Sequence, residues 1–196
     1  MKNILPCDGK LYLIKKFYQQ TEADQLFALL LQDLSWQQEK IFLYGRWVKV
    51  PRLMCWYGDN NAQYKYSGVN HQPLTWTKTL LSIKQKIEKF YPCQFNSVMA
   101  NLYRNGDDSM GCHADNEKEL GDKPLIASLS LGEQRLLKFR HQNSQQVLDV
   151  VLRHGDLLIM AGEIQQNWRH ELPKTKKLIT ERINLTFRHV TYLIPG

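Results

Sequence analysis

His113 and Asp115 stand two positions apart in GCHADNEKELG, residues 111–121, where a short strand runs into a polar loop. Residues i and i+2 of a strand project from one face, so imidazole and carboxylate can point together into the mouth of a barrel while Ala114 turns away. Such a pair is part of a chelate. Two histidines and one carboxylate leave coordination positions open and suit a non-haem iron(II) centre, so a second histidine is required. Of the remaining five, His71 lies in a polar loop before Pro73, His141 and His154 sit at turns, and His189 ends the last strand. His170 follows GDLLIMAGEIQQNW, a strand and a turn. It lies 55 positions after Asp115, a separation that several intervening strands would create before the chain returns to the same mouth.

The end of the chain adds a second element of chemistry. In RINLTFR, residues 182–188, Arg182, Asn184, Thr186 and Arg188 alternate with Ile183, Leu185 and Phe187. One face of a single strand thus carries two guanidiniums and an amide, and the other face is apolar. Arginines buried side by side are costly unless anions meet them, and a small dicarboxylate does so because each planar guanidinium can take a carboxylate in bidentate fashion.

These groups must be positioned by a fold, and the sequence outlines one. Thr21 with Asp24 three residues on resembles a helix start, and Leu26/Leu30 and Phe27/Leu31 give an apolar stripe at i, i+4. A second helix is expected from about Thr77 to Tyr91, with Leu80, Ile83 and Ile87 on one face and Pro92 ending it. After Pro92 come short β-rich runs separated by Gly, Asn or Asp turns: SVMANLYR, LIASLSLG, RLLKFR, VLDVVL, DLLIMA and RINLTFRHV. Helices followed by many short strands argue for a helix-backed β-sandwich or barrel, in which strand ends distant in sequence meet.

Composition bounds the partners. With 196 residues, 43% hydrophobic, the chain is the size of one domain with a core of its own. Cys7, Cys55, Cys93 and Cys112 form neither a Cys-x-x-Cys pair nor a disulfide framework, so a reducing, intracellular setting is expected. The N-terminal stretch, broken by Pro6, Asp8 and several lysines, lacks the continuous apolar core of a signal peptide, and no segment reads as a membrane span, so a soluble protein is expected. Twenty-six Lys and Arg against 19 Asp and Glu give a formal charge of +7, which favours polyanionic partners such as nucleic acid.

Taken together, His113-x-Asp115, His170 and RINLTFR resemble the AlkB family of Fe(II)- and 2-oxoglutarate-dependent dioxygenases, most closely the branch containing the animal nuclear double-strand DNA repair demethylases. GRWVKVPR, WYGDNNAQYKYSG, NLYRNG, HADNEKELG, IASLSLG and HELPKTKK extend the resemblance over roughly residues 41–190. It implies an α+β fold: a double-stranded β-helix (jelly-roll) core over about 95–190, backed by N-terminal support over about 1–35 and a helix over 77–92, with a β-hairpin nucleotide-recognition lid over 36–76. One dioxygenase domain would fill residues 1–196.

The resemblance also implies Fe(II) on His113, Asp115 and His170, and 2-oxoglutarate on Asn101, Tyr103, Arg182, Asn184 and Arg188, with Arg182 at the distal carboxylate. With O2 the expected reaction is oxidative demethylation of 1-methyladenine and 3-methylcytosine in DNA, releasing formaldehyde, succinate and CO2. The damaged base must leave the stack to react. Tyr64, Tyr66, Ser67 and Glu117 match the base pocket, with Tyr66 stacking opposite His113. Tyr44, in FLYGRW, matches an aromatic inserted into the gap left in a duplex. Arg46, Lys49, Arg52, Lys174, Lys176 and Lys177 are placed to meet phosphates.

Two departures stand out. Residues 140–151, RHQNSQQVLDVV, are shorter and less basic than the insertion by which double-strand repair members grip the complementary strand, so strand preference stays open. Asn116 replaces the second Asp of the usual run after the metal pair, without touching a ligand. The same chemistry on RNA, or a catalytically silent nucleic-acid-binding module, are the alternatives. A monomer is expected, in the cytoplasm of a prokaryote or the nucleus of a eukaryote.

Overall fold

The structure is a computed structural model. It describes residues 1–191 except Tyr44, Gln63, Ser67 and Gly68, and of residues 43, 64–66 and 69–71 the backbone alone. In chain order the elements are β1 (Lys10–Ile14), α1 (Gln20–Asp33), the hairpin β2 (Lys40–Leu43) and β3 (Arg46–Lys49), β4 (Leu53–Gly58), and a second hairpin, β5 (Tyr64–Tyr66) and β6 (Val69–His71). Then follow α2 (Lys78–Phe90), β7 (Ser97–Tyr103), β8 (Met110–His113), β9 (Ile126–Gly132), β10 (Arg135–His141), β11 (Val147–Leu152), β12 (Leu157–Ala161), the short α3 (Ile164–Asn167), β13 (Trp168–Leu172) and β14 (Arg182–Arg188).

Two antiparallel sheets carry the core: a six-stranded major sheet ordered β1-β12-β9-β14-β7-β4 and a four-stranded minor sheet ordered β11-β10-β13-β8. Period-2 alternation in the central strands decides what each face meets. Along β14, Ile183, Leu185 and Phe187 face α1 and α2, where they join Leu30, Ile83 and Ile87 in one buried cluster. Each such fully buried aliphatic side chain contributes about 1.5–3 kcal/mol. The opposite face of the major sheet supplies Leu11, Ile126, Leu158 and Met160 to a second cluster, with Leu137, Phe139, Val150 and Trp168 from the minor sheet. Two sheets sealed face to face, with helices on one outer face, are the expected jelly-roll.

Local signals account for the helices unevenly. Thr77 Oγ1 accepts from Leu80 N at 3.2 Å, so the second helix is capped where the sequence placed it, and it ends at Phe90 ahead of Pro92. The first helix starts at Gln20, one residue before Thr21, behind an N-cap Gln19 that makes no side-chain cap bond. Its position follows from the apolar stripe, because Ala23 and Leu30 are buried against the sheet. No described helix is long and apolar enough to cross a membrane.

Candidate active site

The two histidines meet because their strands do. β13 runs antiparallel to β8 with His170 opposite His113, and the register slips between His170 and Leu172. The imidazole centroids lie 4.3 Å apart. Strand β8 ends at His113, so Asp115 lies just beyond the pleat expected to orient it; its backbone N–H donates to Gln165 Oε1 at 3.0 Å, from α3, and its carboxylate accepts from Arg188. His113 Nε2 then lies 3.9 Å from Asp115 Oδ1. Ligand atoms of His113, Asp115 and His170 all fall within 4.8 Å of one another. His113 Nδ1 sits 2.9 Å from the Gly111 carbonyl oxygen, which favours a proton there and leaves the Nε2 lone pair facing the cluster.

Electrostatics prepare these groups to bind a cation. Burial works against charge on Asp115, but the Arg188 guanidinium and the two imidazoles outweigh it and hold the carboxyl below its ordinary value. Arg188 Nη2 donates to Asp115 Oδ1 at 2.7 Å. Burial, reinforced by His113 and opposed by Asp115, pushes His170 down to about 3, so its imidazole is neutral at physiological pH and its lone pair is free. This carries a stability consequence. Below the ordinary histidine value the unfolded chain takes up a proton that folded His170 refuses, so stability falls with pH from about 6.5 downwards. From pH 6.5 to 5 the metal-free protein is expected to lose up to about 2 kcal/mol from this group. Melting curves across that range check it, and His170→Asn is expected to flatten the slope.

A cavity of about 590 Å³ opens beside the cluster. Its floor is the polar face of the major sheet, where β14 lies between β7 and β9 with Arg182 opposite Tyr103 and Asn184 opposite Asn101. Arg182 is 2% exposed, donates from Nη2 to Ser130 Oγ at 2.9 Å, and packs over the Tyr103 ring at 5.3 Å. Burial pushes its pKa down to about 10, with Tyr103 opposing and Arg135 adding to the shift, so it stays cationic at neutral pH. Asn184 Nδ2 donates to Ser128 Oγ at 2.8 Å. The Nε groups of Arg182 and Arg188 are buried and have no hydrogen-bond partner among the described residues. Two guanidiniums with unused donors beside a polar cavity can receive an anion.

Glu117 lines the same cavity. Arg52, expected near phosphates, is turned inward, with Nε on Asn101 Oδ1 at 2.7 Å and Nη1 on the Ser109 carbonyl at 3.3 Å. Arg46, Lys49, Lys174, Lys176 and Lys177 are exposed. Tyr64 and Tyr66 lie on β5 with side chains outside the described set, and Tyr44 and Ser67 lie outside the described residues altogether. Sequence reasoning did not single out Gln165, Ser128 or Ser130. The serines carry a signal, since they alternate with apolar residues in IASLSLG. Gln165 carries none, because its partner is 50 residues away.

Residues 10–188 match the 2OG-Fe(II) oxygenase superfamily. The chain is 37% identical to the alpha-ketoglutarate-dependent dioxygenase alkB homolog 3 of Bos taurus, over 93% of this chain and 66% of that protein. It is 34% identical to the DNA oxidative demethylase ALKBH2 of Mus musculus, over 86% of this chain and 75% of that protein. The protein belongs to the AlkB family of 2OG-Fe(II) oxygenases. The solved structure of OsALKBH1 shares the fold, with a TM-score of 0.61 at 18% identity over 91% of this chain and 97% of that one.

The family is one of Fe(II)- and 2-oxoglutarate-dependent oxygenases, and the site carries candidate groups for both. The donor set suits that metal: two imidazoles and one carboxylate held ionised, with cavity space on their open side. The unused guanidinium donors suit a dicarboxylate. The chain spans 66% of the length of the bovine relative and 75% of that of the mouse one.

Proposed function

We propose that this AlkB-family enzyme is an oxidative demethylase of N-alkylated bases in DNA, with 1-methyladenine and 3-methylcytosine as substrates. The observation that carries this reading is one cavity lined both by the His113–Asp115–His170 cluster and by the Arg182 and Arg188 guanidiniums with unused donors. Identity to relatives named as DNA oxidative demethylases supports the substrate class.

In this reading His113, Asp115 and His170 hold iron, and Arg188 both fixes the carboxylate ligand and reaches the co-substrate. Arg182 receives the distal carboxylate of 2-oxoglutarate, whose polar bed is Asn101, Tyr103 and Asn184. Bound iron and 2-oxoglutarate, with O2, supply the oxidising power that hydroxylates an N-methyl group, after which formaldehyde is lost. The protein's part is to orient the flipped base and exclude water. Ile41, Met54 and Trp56 wall the cavity on the side of the first hairpin and β4, and Glu117 offers a carboxylate to the pairing edge. Tyr64, Tyr66 and Ser67 are assigned to the base pocket, with Tyr66 stacking on the base, Tyr44 to the gap left in a duplex, and exposed Arg46, Lys49, Lys174, Lys176 and Lys177 to phosphates. Arg52 is assigned through Asn101 to the co-substrate bed. We place the enzyme as a monomer in a reducing compartment, consistent with four free cysteines.

Formaldehyde release across single- and double-stranded oligonucleotides of DNA and RNA, each with one methylated base, tests the reading. Turnover of the methylated DNAs with matching succinate is the expected result. Turnover confined to RNA, or none on any strand, would overturn it.

A further inference from the structure

A second group of metal-binding side chains converges outside the active-site cavity. Cys7, Asp8 and His141 each present a ligand atom, all within 4.8 Å of one another. Asp8 Oδ2 lies 3.0 Å from His141 Nε2 across 133 positions of sequence. Cys7 Sγ lies 3.1 Å from Gln146 Oε1.

The loop bearing Cys7 and Asp8 is held in shape by its own bonds. Asn3 Oδ1 accepts from Leu11 N at 2.8 Å and from Leu5 N at 3.2 Å, and Asn3 Nδ2 donates to the Gly9 carbonyl at 3.1 Å. Asp8 has φ 49°, a left-handed conformation that aspartate tolerates better than most residues. Gly9, at φ 146°, presses against α3 so closely that a Cβ there would come within 2.8 Å of Ile164 Cα. On the other side, the His141 ring packs edge-on against Trp168 at 4.9 Å, and Trp168 Nε1 donates to the Cys7 carbonyl at 3.2 Å.

We propose that Cys7, Asp8 and His141 form a zinc site, separate from the iron centre, that clips the N-terminal loop to the minor sheet. Thiolate, imidazole and carboxylate are the ligand types zinc takes, and the sulfur argues against magnesium or calcium. Zinc bond lengths set donor separations of about 3.3–3.7 Å in a tetrahedral site, so the 3.0 Å Asp8–His141 contact must open by only a few tenths of an ångström. Asp8 is exposed and free to give. Gln146 Oε1 or water completes the tetrahedron. Binding through Nε2 moves the imidazole proton to Nδ1, which now accepts from Asn143 N at 3.2 Å. That bond is given up, so the site binds zinc less tightly than a closed four-ligand site does. Because His141 pairs with Trp168, and Phe139 with His170 in the same ladder, the clip steadies the strand that carries an iron ligand.

Titration of the metal-stripped 196-residue chain with zinc alone tests this. Wild type is expected to bind two equivalents, one in each cluster. Cys7→Ser, a near-isosteric change at the edge of the second core cluster, and Asp8→Asn, at an exposed position, are each expected to bind one, as is Asp115→Asn, which disables the other cluster. Cobalt(II) reports the sulfur ligand: Asp115→Asn protein should show a thiolate-to-cobalt charge-transfer band that Cys7→Ser/Asp115→Asn lacks. Saturating zinc should raise the Tm of Asp115→Asn by about 5 °C and leave that of Asp8→Asn/Asp115→Asn unmoved. Unchanged stoichiometry in both single variants, or a charge-transfer band that survives loss of Cys7, overturns the proposal.

Discussion

Asp115→Ala is expected to lower formaldehyde release by about 10³-fold or more, equivalent to about 4 kcal/mol of barrier. Asp115 is the sole carboxylate of the His113–Asp115–His170 cluster, and no other acidic group joins that cluster among the described residues. Its removal leaves two imidazoles, a weak chelate, beside the Arg188 guanidinium, which would repel a divalent cation with its counter-charge gone. The same repulsion complicates the experiment, because breaking a largely buried ion pair also destabilises the fold. Asp115→Asn separates the two effects. The amide oxygen still accepts from Arg188 and fills the same space, so the Tm should stay within a few degrees while turnover falls nearly as far. Wild-type turnover in either variant would remove Asp115 from the metal.

Much of this arrangement is legible in the sequence, for identifiable reasons. The polar face of RINLTFR is visible because period 2 in a central strand sorts side chains without help from distant residues. It correctly predicts apolar packing on one side and a guanidinium-lined floor on the other. Leu80, Ile83 and Ile87 announce α2 in the same way, and Thr77 announces its start. Strand β1 escapes because lysines and a proline flank it, although Leu11 and Leu13 face one core cluster while Tyr12 and Ile14 face the other. Asp115 faces the cluster as a pleat would place it, although β8 ends two residues earlier. Its backbone is held by the Gln165 side chain from α3 and its carboxylate by Arg188, tertiary partners that no local pattern encodes. Arg52 shows the same limit: a cation in a basic stretch reads as a surface residue, and only the fold reveals Asn101 as its acceptor.

Arg182→Met is expected to raise the KM for 2-oxoglutarate by about 10²-fold, about 2.7 kcal/mol of lost binding, without lowering the Tm of the protein free of co-substrate. The second half follows from the burial of the charge. Arg182 is 2% exposed and donates to Ser130 beside the Tyr103 ring, and among the described residues its Nε has no partner and no carboxylate pairs with it. Desolvation already pulls its pKa down to about 10, so the folded protein holds this cation at a cost that an apolar side chain of similar length avoids. An anion in the cavity offsets that cost. Wild type should therefore gain Tm on addition of 2-oxoglutarate, and Arg182→Met should start at least as high and gain little. Arg182→Lys discriminates charge from shape: an ammonium keeps the charge but loses the planar fork, so a KM between those of wild type and the Met variant is expected. Thermal melting with and without 2-oxoglutarate, alongside initial rates at varied co-substrate, reads both halves. A wild-type KM in Arg182→Met would assign the distal carboxylate to another guanidinium that lines the cavity, Arg52 or Arg188.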